Sequence, residues 1–188
     1  MSIVNHKHKH VFIHVPKCAG SSMERLSFVG GADHDSMSQL LLESPGSYFR
    51  WGFVRNPFDR LVSVYHAIWQ HSDNDKSREI APENFEQFAG ELVPNKVEAF
   101  KFKHLDPQTT FLCDSRGTIL LDFVGRYENL NKDWRYVCRK LSVDFVSLPH
   151  TNTTQHRNYK EYYTASMVDA TVKFYASDFK AFNYPTKL

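Results

Sequence analysis

Two stretches of the sequence share one pattern of hydrophobic and polar positions. In each, an apolar run rich in β-branched and aromatic residues is followed by a short cationic turn and then by the start of a helical pattern. The first stretch covers residues 11–22 and the second covers residues 53–65. Because such apolar runs suit buried strands, the pattern predicts two strand–turn–helix units with positive charge where each strand ends.

The turn of the first unit combines residues that favour an anion. Pro16 ends strand pairing, Lys17 supplies a positive charge, and Gly20 lets the backbone approach a ligand closely. Ser21 or Ser22 can cap the following helix, whose free N–H groups then face the turn. The apolar positions of that helix are Met23, Leu26 and Val29. This turn predicts a cradle for phosphate or sulfate, and an ordinary turn with a solvated lysine is the alternative.

The second unit repeats this arrangement with different donors. Asn56 stands where an N-cap belongs and Pro57 where the first helical residue belongs, so a helix should follow Arg55 directly. Its apolar positions are Phe58, Leu61, Val62, Tyr65, Ile68 and Trp69. The guanidinium of Arg55 and the hydroxyl of Ser63 can converge on one phosphate. Arg60 lies on the same polar side of the helix, and a plain surface charge is its alternative role.

The rest of the pattern alternates between strands and helices. An apolar, β-branched run at residues 118–124 predicts a third buried strand. Helical spacing marks five further segments, at residues 37–41, 85–92, 97–102, 130–141 and 165–174. The alternation favours the α/β class, with a mostly parallel sheet flanked by helices on both faces. We expect one domain over residues 1–188, with a flexible tail at residues 1–9.

Composition limits the classes of partner. The chain has 188 residues, 41% of them hydrophobic and 23% charged, which is ordinary for a soluble globular domain. Its formal net charge of +2 does not predict nucleic-acid binding, so any anion recognition must be local. The three cysteines are odd in number and widely spaced, which predicts reduced thiols rather than a metal site. Without a run of about 18 apolar residues, we expect a cytoplasmic chain without membrane insertion.

The two cationic motifs resemble those of a known family. Residues 16–22 are similar to the 5′-phosphosulfate loop of sulfotransferases, and residues 55–65 are similar to their 3′-phosphate motif. The match is closest to the carbohydrate branch, and three further blocks extend it, at residues 104–108, 122–130 and 159–184. The resemblance implies a P-loop-like fold. It also implies transfer of a sulfuryl group from PAPS (3′-phosphoadenosine 5′-phosphosulfate) to a hydroxyl of an acceptor, most simply a carbohydrate, without a metal.

The resemblance also assigns roles to residues. It places the nucleotide on Pro16, Lys17, Cys18, Ala19, Gly20, Ser21, Ser22, Arg55, Ser63, Arg126, His156 and Arg157. Lys17 would also stabilise the leaving phosphate, and His34, between the two motifs, would remove the proton of the acceptor hydroxyl. His14, His66 and His104 compete with His34 for that role. His104 and Arg60 are expected to face the acceptor, and residues 72–82 and 94–108 are expected to supply its other contacts.

Two other functions stay open. A P-loop kinase would need the pattern G-x-x-x-x-G-K-[ST], but Lys17 precedes the single glycine of its turn. A non-catalytic module would bind a glycan or PAP (adenosine 3′,5′-bisphosphate) without turnover, which the short chain allows. The Golgi members of the resembling branch carry a membrane anchor, which the pattern here does not show, so we expect either a cytoplasmic form or a chain from which such an anchor has been removed. The identity of the acceptor and the oligomeric state are not determined by the sequence.

Overall fold

The computed structural model describes five ranges of the chain. These ranges are residues 2–29, 46–71, 84–92, 103–148 and 157–188. The chain divides into two compact units. The first comprises residues 1–55 and 108–152, and the second comprises residues 56–107 and 153–188.

The secondary structure of the described residues alternates strands with short and long helices. The strands are β1 (Ile3–Asn5), β2 (His10–Ile13), β3 (Phe49–Val54) and β4 (Phe123–Arg126). The α-helices are α1 (Gly20–Glu24), α2 (Pro57–His71), α3 (Phe85–Gln87), α4 (Thr109–Leu112), α5 (Leu130–Lys140), α6 (Ala165–Phe174) and α7 (Ala176–Ala181). A π-helical turn covers Phe88–Leu92, and 3-10 turns cover Lys103–Leu105, Tyr127–Asn129 and Tyr159–Tyr162.

A mixed four-stranded sheet organises the first unit. Its order is β1-β2-β3-β4, with β1 antiparallel to β2 and with the β2–β3 and β3–β4 pairs parallel. The register places Ile13 opposite Gly52 and Val54 opposite Arg126. Because β2, β3 and β4 run in the same direction, their carboxyl ends lie at one edge of the sheet, where α/β folds commonly bind ligands.

Aromatic side chains fill the core of the first unit. Trp51 of β3 and Trp134 of α5 are fully buried, with ring centroids 5.8 Å apart, and Phe12 of β2 lies 4.4 Å from Trp51. The indole N–H of Trp51 donates to Nδ1 of His10 at 3.3 Å, and burial lowers the pKa of His10. A neutral imidazole at this position accepts the hydrogen bond, so His10 belongs to the core.

The second unit is helical and also rich in aromatic residues. Phe58 of α2 is buried and its ring lies 5.0 Å from that of Phe179, while the hydroxyl of Tyr163 donates to the Phe58 carbonyl at 2.8 Å. The hydroxyl of Tyr175 donates to the Leu105 carbonyl at 2.9 Å. Burial raises the pKa of Tyr175, so the phenol stays protonated and keeps this hydrogen bond.

Several predicted elements are confirmed. Helix α2 begins at Pro57, and the N–H of Phe58 donates to Oδ1 of Asn56 at 3.0 Å, as an N-cap requires. Helix α6 has the predicted limits, and α5 buries its apolar positions Trp134, Val137 and Cys138. The α/β class is confirmed as a mixed sheet with helices.

Three local predictions are wrong. The tail predicted at residues 1–9 contains strand β1, whose residue Ile3 is buried against the sheet. The strand predicted at residues 118–124 begins only at Phe123, because Ile119 and Leu120 pair with the segment that ends α4 instead. The helix predicted to reach Val29 ends at Glu24. The helices predicted at residues 37–41 and 97–102 lie outside the described residues.

Candidate anion-binding site

Three chain segments meet at the carboxyl edge of the sheet in the first unit. The loop of residues 14–19 follows β2, Arg55 follows β3, and Tyr127 follows β4. The parallel pairing alone brings these segments together, since Gly52 is opposite Ile13 and Val54 is opposite Arg126. The edge therefore joins the two cationic motifs that are 38 positions apart at Lys17 and Arg55.

The loop has a strained backbone. Lys17 and Ala19 have φ angles of 67° and 68°, in the left-handed region that residues other than glycine rarely adopt. Such a conformation costs on the order of 1–3 kcal/mol per residue, and it accumulates at ligand-binding turns. The N–H of Cys18 donates to the Val15 carbonyl at 3.3 Å, which closes the turn between these residues.

Helix α1 starts directly after the loop, and its cap differs from the prediction. The N-cap is Ala19, whose carbonyl accepts from the N–H groups of Ser22 and Met23 at 3.1 and 3.3 Å. Within the described residues no side chain caps α1, so the prediction that Ser21 or Ser22 caps it is wrong. Both serines lie inside the first turn because the left-handed Ala19 turns the chain into the helix before they are reached.

Gly20 is required by a neighbouring side chain. A Cβ atom at this position would overlap with the imidazole of His14, which forms an ion pair with the Glu24 carboxylate. His14 begins the loop and Gly20 begins α1, so the contact fixes the loop against the start of that helix. The sequence predicts close backbone approach at Gly20, and the group that approaches here is an imidazole of the protein itself.

Lys17 and Arg55 form a pair of neighbouring cations. Nη1 of Arg55 donates to the Lys17 carbonyl at 3.3 Å, and the Arg55 guanidinium lies 4.1 Å from the centroid of the Tyr127 ring. Burial, and secondly the charge of Arg55, lower the pKa of Lys17 to about 8. Two cations held together against their repulsion in a partly buried place are an arrangement that an anion stabilises.

Two residues at this edge were missed as site residues. Tyr127 stacks on Arg55, and the fully buried Gln108 forms hydrogen bonds with both main-chain groups of Arg55 and with the Cys18 thiol. Both residues belong to blocks that resemble the sulfotransferase family, which was the available signal. Arg126 adjoins Tyr127 in the chain, and its N–H donates to the Asp133 carboxylate at 2.7 Å.

The other predicted residues belong to the second unit. Arg60 is 1% exposed, so it is not a surface charge, and its Nη2 donates to the carbonyl of His104 at 2.8 Å. Ser63 is also buried, whereas Arg157 is exposed with its guanidinium 4.7 Å from the ring centroid of Tyr162. The structure thus brings Arg60 and His104 together through a main-chain carbonyl.

The candidate bases are placed differently. His34 lies outside the described residues, as does His156, which was assigned to the nucleotide. His14 is paired with Glu24, and the ring of His66 is hydrogen-bonded to the Tyr162 hydroxyl at 2.8 Å. The predicted acceptor loop of residues 72–82 is likewise not described.

The described part of the chain contains neither a candidate metal site nor a candidate membrane-spanning helix. Across residues 2–29, 46–71, 84–92, 103–148 and 157–188, no cluster of three or more His, Cys, Asp or Glu side chains could hold a metal ion. In the same part of the chain, no helix has the length and apolar character to cross a bilayer. A cavity of about 520 Å³ is lined by Lys132, Arg135 and Arg139, and none of the predicted catalytic or binding residues lines it.

Comparison with known proteins identifies the family. A family model described as "Sulfotransferase family" matches residues 1–185, so the chain belongs to the sulfotransferase family. The chain is similar to carbohydrate sulfotransferase 11 of Rattus norvegicus and 14 of Danio rerio, with 24% and 26% identity over 97% of its length. It is also 23% identical to carbohydrate sulfotransferase 10 of Homo sapiens over 95% of its length. No solved structure gives a significant match.

The relatives are longer than this chain. The aligned region covers 66%, 62% and 65% of the rat, zebrafish and human proteins. The chain therefore spans a little under two thirds of the length of the relatives that it matches.

The strained loop leads to a first prediction, for Ala19→Gly. We expect this variant to be more stable by roughly 0.5–1 kcal/mol, because relief of about 1–2 kcal/mol of left-handed strain exceeds the gain in unfolded-chain entropy of about 0.4–1 kcal/mol. Urea denaturation measures the change. Ala170→Gly in the interior of α6 is the matched control and should lose about 1 kcal/mol. Equal destabilisation of the two variants would show that Ala19 is not strained.

Proposed function

We propose that this protein transfers a sulfuryl group from PAPS to a hydroxyl group of a carbohydrate. The observation that carries the proposal is the pairing of Lys17 with Arg55, in which burial and a neighbouring cation lower the pKa of Lys17 to about 8. Membership of the sulfotransferase family supports the reaction class. The names of the relatives support a carbohydrate acceptor.

The residues present fit the nucleotide of PAPS. PAP, the product nucleotide, carries one phosphate at each end of its ribose, and the site offers two separate cationic side chains. Lys17 and residues 16–22 would hold the 5′ group, while Arg55 and Ser63 would hold the 3′-phosphate. Arg126, His156 and Arg157 are the further donors that we assign to the nucleotide. A P-loop-like topology around this site is part of the proposal.

Lys17 would act in the chemistry as well as in binding. PAPS supplies an activated sulfuryl group whose departure leaves negative charge on a phosphate oxygen. A lysine ammonium beside that oxygen stabilises the charge more strongly in the transition state than in the ground state, because the charge grows as the bond breaks. With a pKa of about 8, Lys17 is mostly protonated at neutral pH and can perform this role.

The acceptor hydroxyl needs a base, for which we propose His34. A sugar hydroxyl is too weakly acidic to ionise near neutral pH, so a group with a pKa near neutrality must remove its proton as the new S–O bond forms. A neutral imidazole is such a group. His104 and Arg60 are assigned to acceptor binding. We also propose that the protein is located in the cytoplasm and acts as a single domain over residues 1–188.

A second prediction concerns selectivity between nucleotides. PAP should bind more tightly than AMP, because AMP has no second anion for Arg55. Arg55→Ala should weaken PAP binding by roughly 1.5–3 kcal/mol, the value of a charged hydrogen bond, and Arg55→Lys should recover only part of it because the forked geometry is lost. Isothermal titration calorimetry measures these affinities. The exposed Arg116→Ala serves as control, and equal affinity of the wild type for PAP and AMP would refute the assignment.

A third prediction concerns the uptake of a proton when PAP binds. Since the pKa of Lys17 is about 8 in the free protein and a bound anion should raise it, PAP binding should take up a proton near pH 8. Affinity should accordingly fall as the pH rises above 8, where the free protein has lost this proton. Calorimetry in buffers of different ionisation enthalpy gives the uptake. Lys17→Met should abolish it, and an unchanged uptake in that variant would assign the proton to another group.

A fourth prediction concerns turnover. Incubation with labelled PAPS and a panel of sugars, lipids and small alcohols should yield a sulfated carbohydrate. His34→Ala should retain PAP binding but lose on the order of 10²–10⁴ in turnover, the usual contribution of a general base. Lys17→Ala should lower the rate at saturation more than the affinity. PAP binding without transfer to any acceptor would instead support a non-catalytic binding module.

A further inference from the structure

We propose that Gln108 is a positioning residue that holds Arg55 and the loop of residues 14–19 in a fixed relation, and so sets the preference for a ligand with two anionic groups. The second half of this inference rests on the proposed function. The first half, a side-chain clamp between two main-chain segments, depends only on the geometry of the first unit.

Three hydrogen bonds converge on the carboxamide of Gln108. Its Oε1 accepts from the N–H of Arg55 at 2.9 Å, and its Nε2 donates to the carbonyl of Arg55 at 2.9 Å. The thiol of Cys18 donates to the same Oε1 at 3.3 Å. Gln108 is 0% exposed and Cys18 is 2% exposed, so water does not compete for these groups.

The two hydrogen bonds between Gln108 and Arg55 continue the hydrogen-bond pattern of the sheet by one residue. The ladder between β3 and β4 ends at the pair Val54 and Arg126, so Arg55 is the first residue beyond it. A carboxamide offers the same donor and acceptor as a peptide group, and it satisfies both main-chain groups of Arg55. This pairing fixes the backbone of Arg55 and therefore the direction in which its guanidinium leaves the strand.

The bond to Cys18 links that pairing to the loop. Cys18 lies between the two left-handed residues Lys17 and Ala19, whose strained conformation must be held by neighbouring contacts. Arg55 also donates to the Lys17 carbonyl. The loop is therefore attached to Arg55 directly through Lys17 and indirectly through Gln108.

The chain path gives Gln108 a further role. The chain leaves the first unit after Arg55 and returns to it at Gln108, which lies 53 positions further along. The carboxamide thus joins the two points between which the chain runs outside this unit. Loss of the side chain would free both ends, since each unsatisfied buried group at Arg55 would also favour local opening.

Substitutions at Gln108 and at Cys18 separate the contribution of the two bonds to Arg55 from that of the thiol bond. Gln108→Leu removes all three hydrogen bonds at similar size, whereas Gln108→Glu keeps an acceptor for Arg55 N–H but loses the donor to the Arg55 carbonyl. Cys18→Ala removes the thiol, which also lies 3.6 Å from the Pro16 carbonyl, and keeps both bonds between Gln108 and Arg55, whereas Cys18→Ser restores a donor. Gln87→Leu, at an exposed carboxamide in the second unit, is the matched control.

Amide hydrogen exchange tests the clamp without any ligand. In Gln108→Leu the amide of Arg55 should exchange at least about tenfold faster, the loss of protection that corresponds to one hydrogen bond, while amides within β3 keep wild-type rates. Gln87→Leu should leave the Arg55 amide unchanged. If Gln108→Leu does not fold, Gln108→Met carries the test, because it also removes the acceptor for the Arg55 N–H, and faster exchange is expected for the same amide. An unchanged rate at Arg55 overturns the clamp.

Ligand selectivity tests the consequence. Gln108→Leu should lower the ratio of PAP affinity to AMP affinity by about tenfold, because only PAP uses the loop and Arg55 together. Cys18→Ala should shift the ratio in the same direction, and Cys18→Ser should restore it. A merely structural role would weaken both nucleotides equally, and that result overturns the positioning role. A wild type that does not distinguish PAP from AMP refutes the proposed function and the selectivity claim, while the exchange rate at Arg55 still decides the clamp.

Discussion

The closeness of two cations, one of them largely buried, is the electrostatic constraint at the edge of the sheet in the first unit. Lys17 and Arg55 are neighbours at the edge of the sheet, and the charge of Arg55 contributes to the low pKa of Lys17. The protein holds them together by parallel strand pairing, by stacking Arg55 on Tyr127, and by the hydrogen bond from Arg55 to the Lys17 carbonyl. These contacts hold the two charges side by side, and a bound anion would relieve their repulsion.

The backbone of the loop at this edge of the sheet is strained. Lys17 and Ala19 keep left-handed backbones that glycine would adopt more easily, and Gly20 is confined by His14. Such strain persists only where the surrounding structure determines it from several sides. Here Trp51 and other buried aromatic residues pack against the strands from which the loop and Arg55 emerge.

The parts of this arrangement that depend on local sequence were predictable, and the rest were not. Helix α2 could be placed from the cap at Asn56 and the proline after it, since both act on the adjacent backbone. Strand β1 was missed because an edge strand needs only Ile3 on its buried side and otherwise resembles a polar tail. The role of Gln108 was not predictable, because its partner Arg55 is 53 positions away and no periodicity connects them.

Family membership supports the donor assignment for this chain more strongly than the acceptor assignment. The alignment with the rat relative spans 233 positions, whereas this chain has 188 residues, so the relative has at least 45 positions without a counterpart here. In the proposed reaction the donor nucleotide presents two anionic groups whatever the acceptor, so the cations that bind it are constrained by the reaction itself. An acceptor sugar is recognised by neutral hydroxyl groups whose arrangement differs between glycans. Inserted loops can change such contacts freely, so the donor assignment is the safer one to carry over from the family.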